Sequence, residues 1–182
     1  VRCLYIVGEN PLMADVHMHR TREALEKLDL LVVQDLFLTE TAELADLVLP
    51  ARSWGEVEGT YTNTERRVQR VRQLVQPLVG TKDDWEILCE LSQRMGYPMA
   101  YENSEEIWEE VRRLAPHMYG GITYERLDRE GGLQYPCPTL DHPGTTFIHT
   151  HLQQGDGDGR KGRFVPVEYT PPVELPDEEY PL

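Results

Sequence analysis

The sequence Leu30-Leu-Val-Val-Gln-Asp35 is a run of four apolar residues that ends in an amide and a carboxylate. Two further strand-like runs, at residues 4–7 and 46–50, stand on either side of it along the chain, and segments rich in helix formers separate the three. Apolar strands that alternate with helices are typical of a parallel sheet with both faces covered. The pattern therefore predicts an α/β fold with a partial doubly wound parallel sheet of three strands.

The segments between these strands have the composition of helices. Residues 15–28 place Leu25 and Leu28 roughly on one side, with charged helix formers between them, and this predicts a first helix. Thr39 or Thr41 is expected to cap a second, short helix, because a threonine hydroxyl can accept a hydrogen bond from the amides of a first turn.

The rest of the chain is expected to fall into three segments. Residues 51–81 read as a connecting loop, within which residues 66–75 fit either a helix or a strand. Residues 82–131 are predicted to be a helical segment, with helices that begin at Asp83 or Asp84, at Asn103 and at Thr123. Residues 132–182 are predicted to be an extended tail rich in Pro and Gly, in which residues 155–162 would be mobile.

The composition disfavours several classes of function. Eighteen basic and 32 acidic residues give the 182-residue chain a net charge of −14, so binding to nucleic acid or to an anionic lipid surface is not expected. No apolar run approaches the roughly 18 residues that a membrane span needs. Three cysteines, Cys3, Cys89 and Cys137, are too few and too far apart for a disulfide framework or a four-cysteine metal site.

The residues that can do chemistry follow the strands, where doubly wound sheets bind their ligands. Three short sequences stand there: Gly8-Glu9-Asn10, Gln34-Asp35 and Pro50-Ala51. Gly8 allows a close backbone approach, and Asp35 can accept from ribose hydroxyls or from the donor edge of guanine. The fingerprint GxGxxG is absent, which disfavours NAD binding by this turn. The alternative is that polar residues simply end the strands.

No metal site is predicted within the chain. His142, His149 and His151 lie near Cys137 in the sequence, but solvated loop histidines are the favoured interpretation. The sequence Asp156-Gly-Asp-Gly begins like a calcium loop and lacks the later carboxylates, so a linker is favoured there.

The motifs together resemble one enzyme family. Four sequences are similar to the catalytic subunit of molybdopterin oxidoreductases: Gly8-Glu-Asn-Pro-Leu12, Val32-Val-Gln-Asp-Leu-Phe-Leu-Thr39, Thr41-Ala-Glu-Leu-Ala-Asp-Leu-Val-Leu-Pro50 and Glu58-Gly-Thr-Tyr-Thr-Asn-Thr-Glu-Arg-Arg-Val-Gln69. Later sequences resemble the formate dehydrogenase alpha subunit in particular: Asp83-Asp-Trp-Glu-Ile87, Arg94-Met-Gly-Tyr-Pro98, Gly132-Leu-Gln-Tyr-Pro-Cys-Pro138 and Glu179-Tyr-Pro-Leu182. The resemblance implies that the chain is an internal fragment of such a subunit.

A cofactor and its ligands follow from the resemblance. In such enzymes two molybdopterin guanine dinucleotides hold a molybdenum or tungsten atom, and residues 1–50 would be half of an α/β domain that binds one of them. Residues 132–182 would be a linker towards a C-terminal β-barrel domain. Six positions match the family's nucleotide contacts: Gly8, Glu9 and Asn10 at the nucleotide end, Gln34 and Asp35 at the guanosine, and Asp84 from a later loop.

The resemblance also implies chemistry that lies outside this chain. The parent enzyme would oxidise formate to carbon dioxide in a two-electron transfer. Its iron–sulfur cysteines and metal-ligating residue would belong to earlier segments, so the chain alone is expected to be inert. The implied partners are the rest of the same subunit and electron-transfer subunits, and an open sheet edge would favour self-association. Cytoplasmic residence is the default expectation.

Two alternatives to a formate dehydrogenase fragment stay open at this point. One is the related large subunit of an NADH–quinone oxidoreductase, in which the same domain need not hold a molybdenum cofactor. The other is a stand-alone α/β module that binds a free purine nucleotide.

Overall fold

A computed structural model of the chain describes residues 1–149, 164–172 and 175–178. The expectations for His151, for the Asp156 sequence and for residues 155–162 therefore lie outside the described residues. The chain divides into two units, residues 1–146 and 147–182, and the described residues of the second contain no helix or strand. No helix in the described ranges is both long and apolar enough to cross a membrane.

The first unit begins with the expected parallel sheet. Its strands are β1 (Cys3–Val7), β2 (Leu30–Asp35) and β3 (Leu47–Pro50), paired in the order β1-β2-β3 and all parallel. The predicted α/β class with three parallel strands is confirmed. The core on one face of this sheet consists of buried apolar residues from strands and helices: Ile6, Leu12, Leu25, Leu31, Val33 and Ala42.

Three short helices connect these strands: α1 (Pro11–Ala14), α2 (Met18–Leu25) and α3 (Glu40–Glu43). The prediction of one helix over residues 15–28 was wrong at its start, because Asp15 has an extended backbone that separates α1 from α2. Pro11 begins α1, where its fixed φ and missing amide hydrogen suit a first turn. Thr39 caps α3, since its side chain accepts from the amide of Ala42 at 3.2 Å.

A second, antiparallel sheet follows, with β4 (Gly59–Thr62), β5 (Arg67–Val71) and β6 (Leu133–Gln134) in that order. The loop prediction for residues 51–81 was therefore wrong at β4, and the open choice for residues 66–75 resolves to a strand. Asn63 explains the hairpin, because its side-chain oxygen accepts from the amides of Glu65 and Arg67, both at 3.0 Å.

Four helices occupy the predicted helical segment: α4 (Asp84–Arg94), α5 (Ser104–Leu114), α6 (Pro116–Tyr119) and α7 (Tyr124–Glu130). The predicted caps are confirmed. Asp83 caps α4 in a capping box with Glu86, while Asn103 and Thr123 cap α5 and α7 through their side-chain oxygens. The strongest local helix-start patterns thus mark the helix boundaries correctly.

A second core lies between β5, α5 and α7. It contains Val68, Trp108, Ile122, Leu127 and Cys137 among its buried members. The indole of Trp108 donates to the carbonyl of Ile122 at 2.6 Å, so this large side chain is buried without an unpaired polar group.

Gly121 lies where two loops of this second core meet. Its amide donates to the carbonyl of Cys137 at 2.7 Å, and a Cβ atom at this position would stand 1.9 Å from the carbonyl oxygen of Thr139. The buried guanidinium of Arg126 joins the same loops, because it donates to the carbonyls of Gly121 at 2.8 Å and His142 at 3.0 Å. Only glycine fits this approach of two backbones.

Candidate functional site

The carboxyl edge of the parallel sheet brings the predicted site residues together. Val7 pairs with Gln34 and Asp35 pairs with Pro50, so the three strands end side by side. A parallel bridge between Ala51 and Lys82 then places the start of α4 at the same edge. The turn after β1, the end of β2 and Asp84 therefore share one region, although more than 70 residues of sequence separate Gly8 from Asp84.

The turn after β1 presents backbone rather than side chains. Gly8 has a φ of +62°, a conformation that L-residues rarely adopt, and its amide donates to the carbonyl of Gln34 at 2.8 Å. Glu9 is exposed, and the amides of Glu9 and Asn10 donate to no acceptor in the described part of the chain. Two amide donors are thus available here for an anionic group.

The side chain of Asn10 is already engaged within the fold. Its amide nitrogen donates to Glu40 at 2.7 Å, and its oxygen accepts from the hydroxyl of Thr41 at 2.6 Å. Thr41 is fully buried, and its hydroxyl oxygen accepts in turn from the amide of Leu12 at 3.2 Å. The bond from Asn10 lowers the pKa of the Glu40 carboxyl. Asn10 therefore fixes the β1–α1 turn against α3.

Gln34 is buried completely, with 0 % of its surface exposed. The hydroxyl of Tyr5 donates to its side-chain oxygen, and its side-chain nitrogen donates to Oδ1 of Asp84 at 2.5 Å. Burial, and then the negative charge of Asp84, raise the pKa of the Tyr5 phenol. The phenol thus stays protonated at neutral pH and able to donate.

Two carboxylates remain open at this edge. Asp35 accepts from the amide of Leu36 at 2.6 Å through Oδ1 only, and the exposed Asp84 accepts from Gln34 through Oδ1 only. Within the described ranges the second oxygen of each has no hydrogen-bond donor. The neighbouring Asp83 is different, because it caps α4 and forms an ion pair with Arg52 at 2.6 Å. The edge thus offers two acidic acceptors beside two free amides.

The hydrogen-bonding groups at this edge fit a nucleotide better than a metal ion. Ionised carboxylates accept hydrogen bonds only, which suits the N–H groups of a base or the hydroxyls of a ribose, and free backbone amides suit phosphate oxygens. In the part of the chain that the structure describes, no group of three or more His, Cys, Asp and Glu side chains is arranged to hold a metal.

Comparison with known proteins gives the family. Residues 1–94, about half of the chain, match the family model of the molybdopterin oxidoreductases. These residues include both strands that carry the candidate site and the start of α4. The chain therefore belongs to the molybdopterin oxidoreductase family.

Individual relatives cover the chain from end to end. The alpha subunit of an F420-dependent formate dehydrogenase from Methanocaldococcus jannaschii is 46% identical over 184 aligned residues, which are 100% of this chain and 27% of that protein. Formate dehydrogenase H of Escherichia coli is 41% identical over 182 residues, or 100% of this chain and 25% of that protein. The chain thus spans about a quarter of the length of these relatives.

A solved structure supports the fold. Acetylene hydratase from Pelobacter acetylenicus superposes with a TM-score of 0.57 at 28% identity, over 74% of this chain and 18% of that protein. Most of the fold described above thus has a counterpart of known structure.

Sequence reasoning missed three residues that shape this edge: Tyr5, Glu40 and Thr41. In the sequence Tyr5 is only one member of the apolar run at residues 4–7, although a phenol two residues before a strand end can reach a polar group on the next strand. The sequence indicates for Thr41 only a possible capping role. Its complete burial beside Asn10 depends on how α3 packs, which the local sequence does not indicate.

Proposed function

We propose that the carboxyl edge of the parallel sheet binds the guanosine end of a molybdopterin guanine dinucleotide. In this proposal the chain is part of the catalytic subunit of a molybdenum- or tungsten-dependent formate dehydrogenase. The observation that carries the proposal is the pair of carboxylates, Asp35 and Asp84, each with an oxygen that accepts no hydrogen bond from the described residues.

The chemistry of guanosine matches this pair. Guanine presents an N–H and an amino group side by side, and its ribose presents hydroxyls, so all of these groups can donate to a carboxylate. Asp35 ends β2 and Asp84 begins α4, so they approach a ligand from two different elements. The turn at Gly8, Glu9 and Asn10 would meet the phosphates through its free amides.

Gln34 is part of the site in a different way. Because its side chain is buried and both ends of its amide are hydrogen-bonded, it supports Asp84 more directly than it meets the ligand. The cofactor supplies the redox chemistry when bound, and the residues of this chain supply position and hydrogen bonds.

The names of the relatives support the reaction. Both relatives described above are formate dehydrogenases, so the whole protein would oxidise formate to carbon dioxide and pass two electrons to partner subunits. The metal-ligating residue and any iron–sulfur cluster would be held outside the described residues. The same relatives favour this function over the NADH–quinone oxidoreductase and the free-nucleotide module.

Asp35→Ala tests the proposal in the complete gene product that carries these residues. Acid hydrolysis of the bound cofactor releases GMP, which is counted per protein together with molybdenum or tungsten. Losing one charged hydrogen-bond acceptor should weaken cofactor binding by roughly 10-fold or more, so both contents should fall together after extended dialysis.

Asp29→Ala is the matched control. Asp29 is an exposed carboxylate that precedes β2 at the opposite end of the same strand, where it pairs with Arg2. It should retain wild-type GMP and metal. Wild-type contents in Asp35→Ala, or an equal loss in Asp29→Ala, would contradict the proposal.

A further inference from the structure

Tyr5, Gln34 and Asp84 form a chain of hydrogen bonds across the sheet edge. The register pairs Tyr5 with Val32 and Val7 with Gln34, so Tyr5 and Gln34 point to the same face of the sheet from neighbouring strands. The phenol reaches the oxygen of the Gln34 amide, and the nitrogen of that amide reaches Asp84 on α4. Three elements are joined through one buried amide.

The direction of these hydrogen bonds follows from chemistry. A carboxylate can only accept, so the end of the Gln34 amide that meets Asp84 must be the nitrogen. The oxygen of the amide must then face Tyr5, and Tyr5 must donate to it. The raised pKa of Tyr5 agrees, because the phenol keeps its proton at neutral pH.

The geometry points to Tyr5 as a positioning residue for the cofactor site, whose hydroxyl orients the Gln34 amide so that Gln34 holds Oδ1 of Asp84 and leaves Oδ2 for the guanosine. This inference rests on the proposed function, because it assigns Asp84 a role in binding the cofactor. In this role the side chain of Tyr5 does not itself contact the cofactor.

Asp84 has few hydrogen-bond or ion-pair partners among the described residues. Gln34 provides its sole hydrogen bond from the described residues, and Tyr5 and Asp84 are likewise the partners of the Gln34 side chain there. Arg52 pairs with Asp83 and, at 3.3 Å, with Glu86, and Lys82 pairs with Glu90. The orientation of the Asp84 carboxylate therefore depends on the Gln34 amide, and the amide depends on Tyr5.

Tyr5→Phe is the first variant of the test. It keeps the ring and removes the sole donor that the described residues offer to the side-chain oxygen of Gln34, a residue with 0 % of its surface exposed. In the purified, cofactor-loaded gene product, the cofactor that stays bound during incubation is counted as the GMP released by later acid hydrolysis. The rate of this loss, called GMP loss below, should rise by about 10-fold, the factor for one hydrogen bond. Tyr124→Phe is the matched control, because it removes a buried phenol that bonds Ser104 at 3.2 Å in the second core. It should lose GMP at the wild-type rate.

A double-mutant cycle separates positioning from a general effect on folding. In an Asp84→Ala background the bond that Tyr5 supports is already gone, so adding Tyr5→Phe should not accelerate GMP loss further. An equal acceleration in both backgrounds would overturn the inference, since it would mean that Tyr5 acts without Asp84.

Asp84→Asn removes the charge and keeps the shape of the side chain. An amide oxygen is a weaker acceptor than a carboxylate, and an amide can also present its nitrogen, which cannot accept from the donors of guanosine. Asp84→Asn should therefore lose GMP faster than the wild type. Retention at the wild-type rate would overturn the inference.

The two proposals fail in different ways. If Asp35→Ala lowers cofactor content while Tyr5→Phe loses GMP at the wild-type rate, the role of Tyr5 is wrong and the proposed function stands. If neither Asp35→Ala nor Asp84→Ala changes GMP retention, both are wrong.

Discussion

A protein that carries both Asp35→Ala and Asp84→Ala should lose its bound guanine nucleotide at least about 100-fold faster than the wild type, because two charged hydrogen-bond acceptors are removed together. The two carboxylates belong to different elements, β2 and α4, so the double variant removes acceptors on two sides of the proposed ligand. The measurement is the time course of cofactor loss from the loaded gene product, with the remaining cofactor counted as GMP after acid hydrolysis and metal content followed in parallel.

The control is a double variant that removes the same amount of negative charge at positions away from this edge. Asp29→Ala together with Glu23→Ala removes two exposed carboxylates, one before β2 and one on α2. This pair should retain GMP at the wild-type rate. Equal retention by both double variants would show that the carboxyl edge of the sheet does not hold the nucleotide.

Gly121→Ala should destabilise the second core by roughly 3 kcal/mol or more, because the new methyl group would overlap a fixed backbone. The Cβ atom would lie 1.9 Å from the carbonyl oxygen and 2.5 Å from the carbonyl carbon of Thr139. This backbone cannot move away easily, since Gly121 and Cys137 are hydrogen-bonded and Arg126 holds the carbonyls on both sides. Urea denaturation monitored by tryptophan fluorescence would report the change, because Trp108 lies in this core.

Gly55→Ala is the comparison for that measurement. Gly55 is also buried, but a Cβ atom there would meet Cγ2 of Val75 at 3.8 Å, an ordinary van der Waals contact. Its free energy of unfolding should stay within about 0.5 kcal/mol of the wild type or rise slightly, because alanine reduces the freedom of the unfolded chain. If the two variants unfold alike, the close approach at Gly121 is not a constraint on the fold.

The parts of the fold that sequence predicts well are those with local causes. The three parallel strands are continuous apolar runs, and Asp83, Asn103 and Thr123 mark helix starts through hydrogen bonds to amides a few residues ahead. Strand β4 was missed for the opposite reason. Its sequence, Gly59-Thr-Tyr-Thr62, resembles a loop, and it becomes a strand only because β5 pairs with it.

The candidate site likewise has features that the sequence predicts and features that depend on tertiary contacts. That polar residues after neighbouring strands meet at the carboxyl edge follows from parallel topology, so the sequence pattern predicts that Gly8 and Asp35 lie close together. Only the family resemblance adds Asp84 to them. The partners of each side chain could not be predicted. Tyr5 reaches Gln34 through the register of β1 against β2, and Asp84 reaches it through the bridge at Lys82, which depends on tertiary packing.

The most direct measurement is an experimental structure of the complete gene product with its cofactor bound. Guanine or ribose donors should lie within about 2.7–3.2 Å of the Asp35 and Asp84 carboxylates, and a phosphate should lie near the amides of the turn at Gly8. Gln34 should remain buried between Tyr5 and Asp84. A guanosine bound elsewhere, with both carboxylates facing solvent, would show that the carboxyl edge of the sheet is not the nucleotide site.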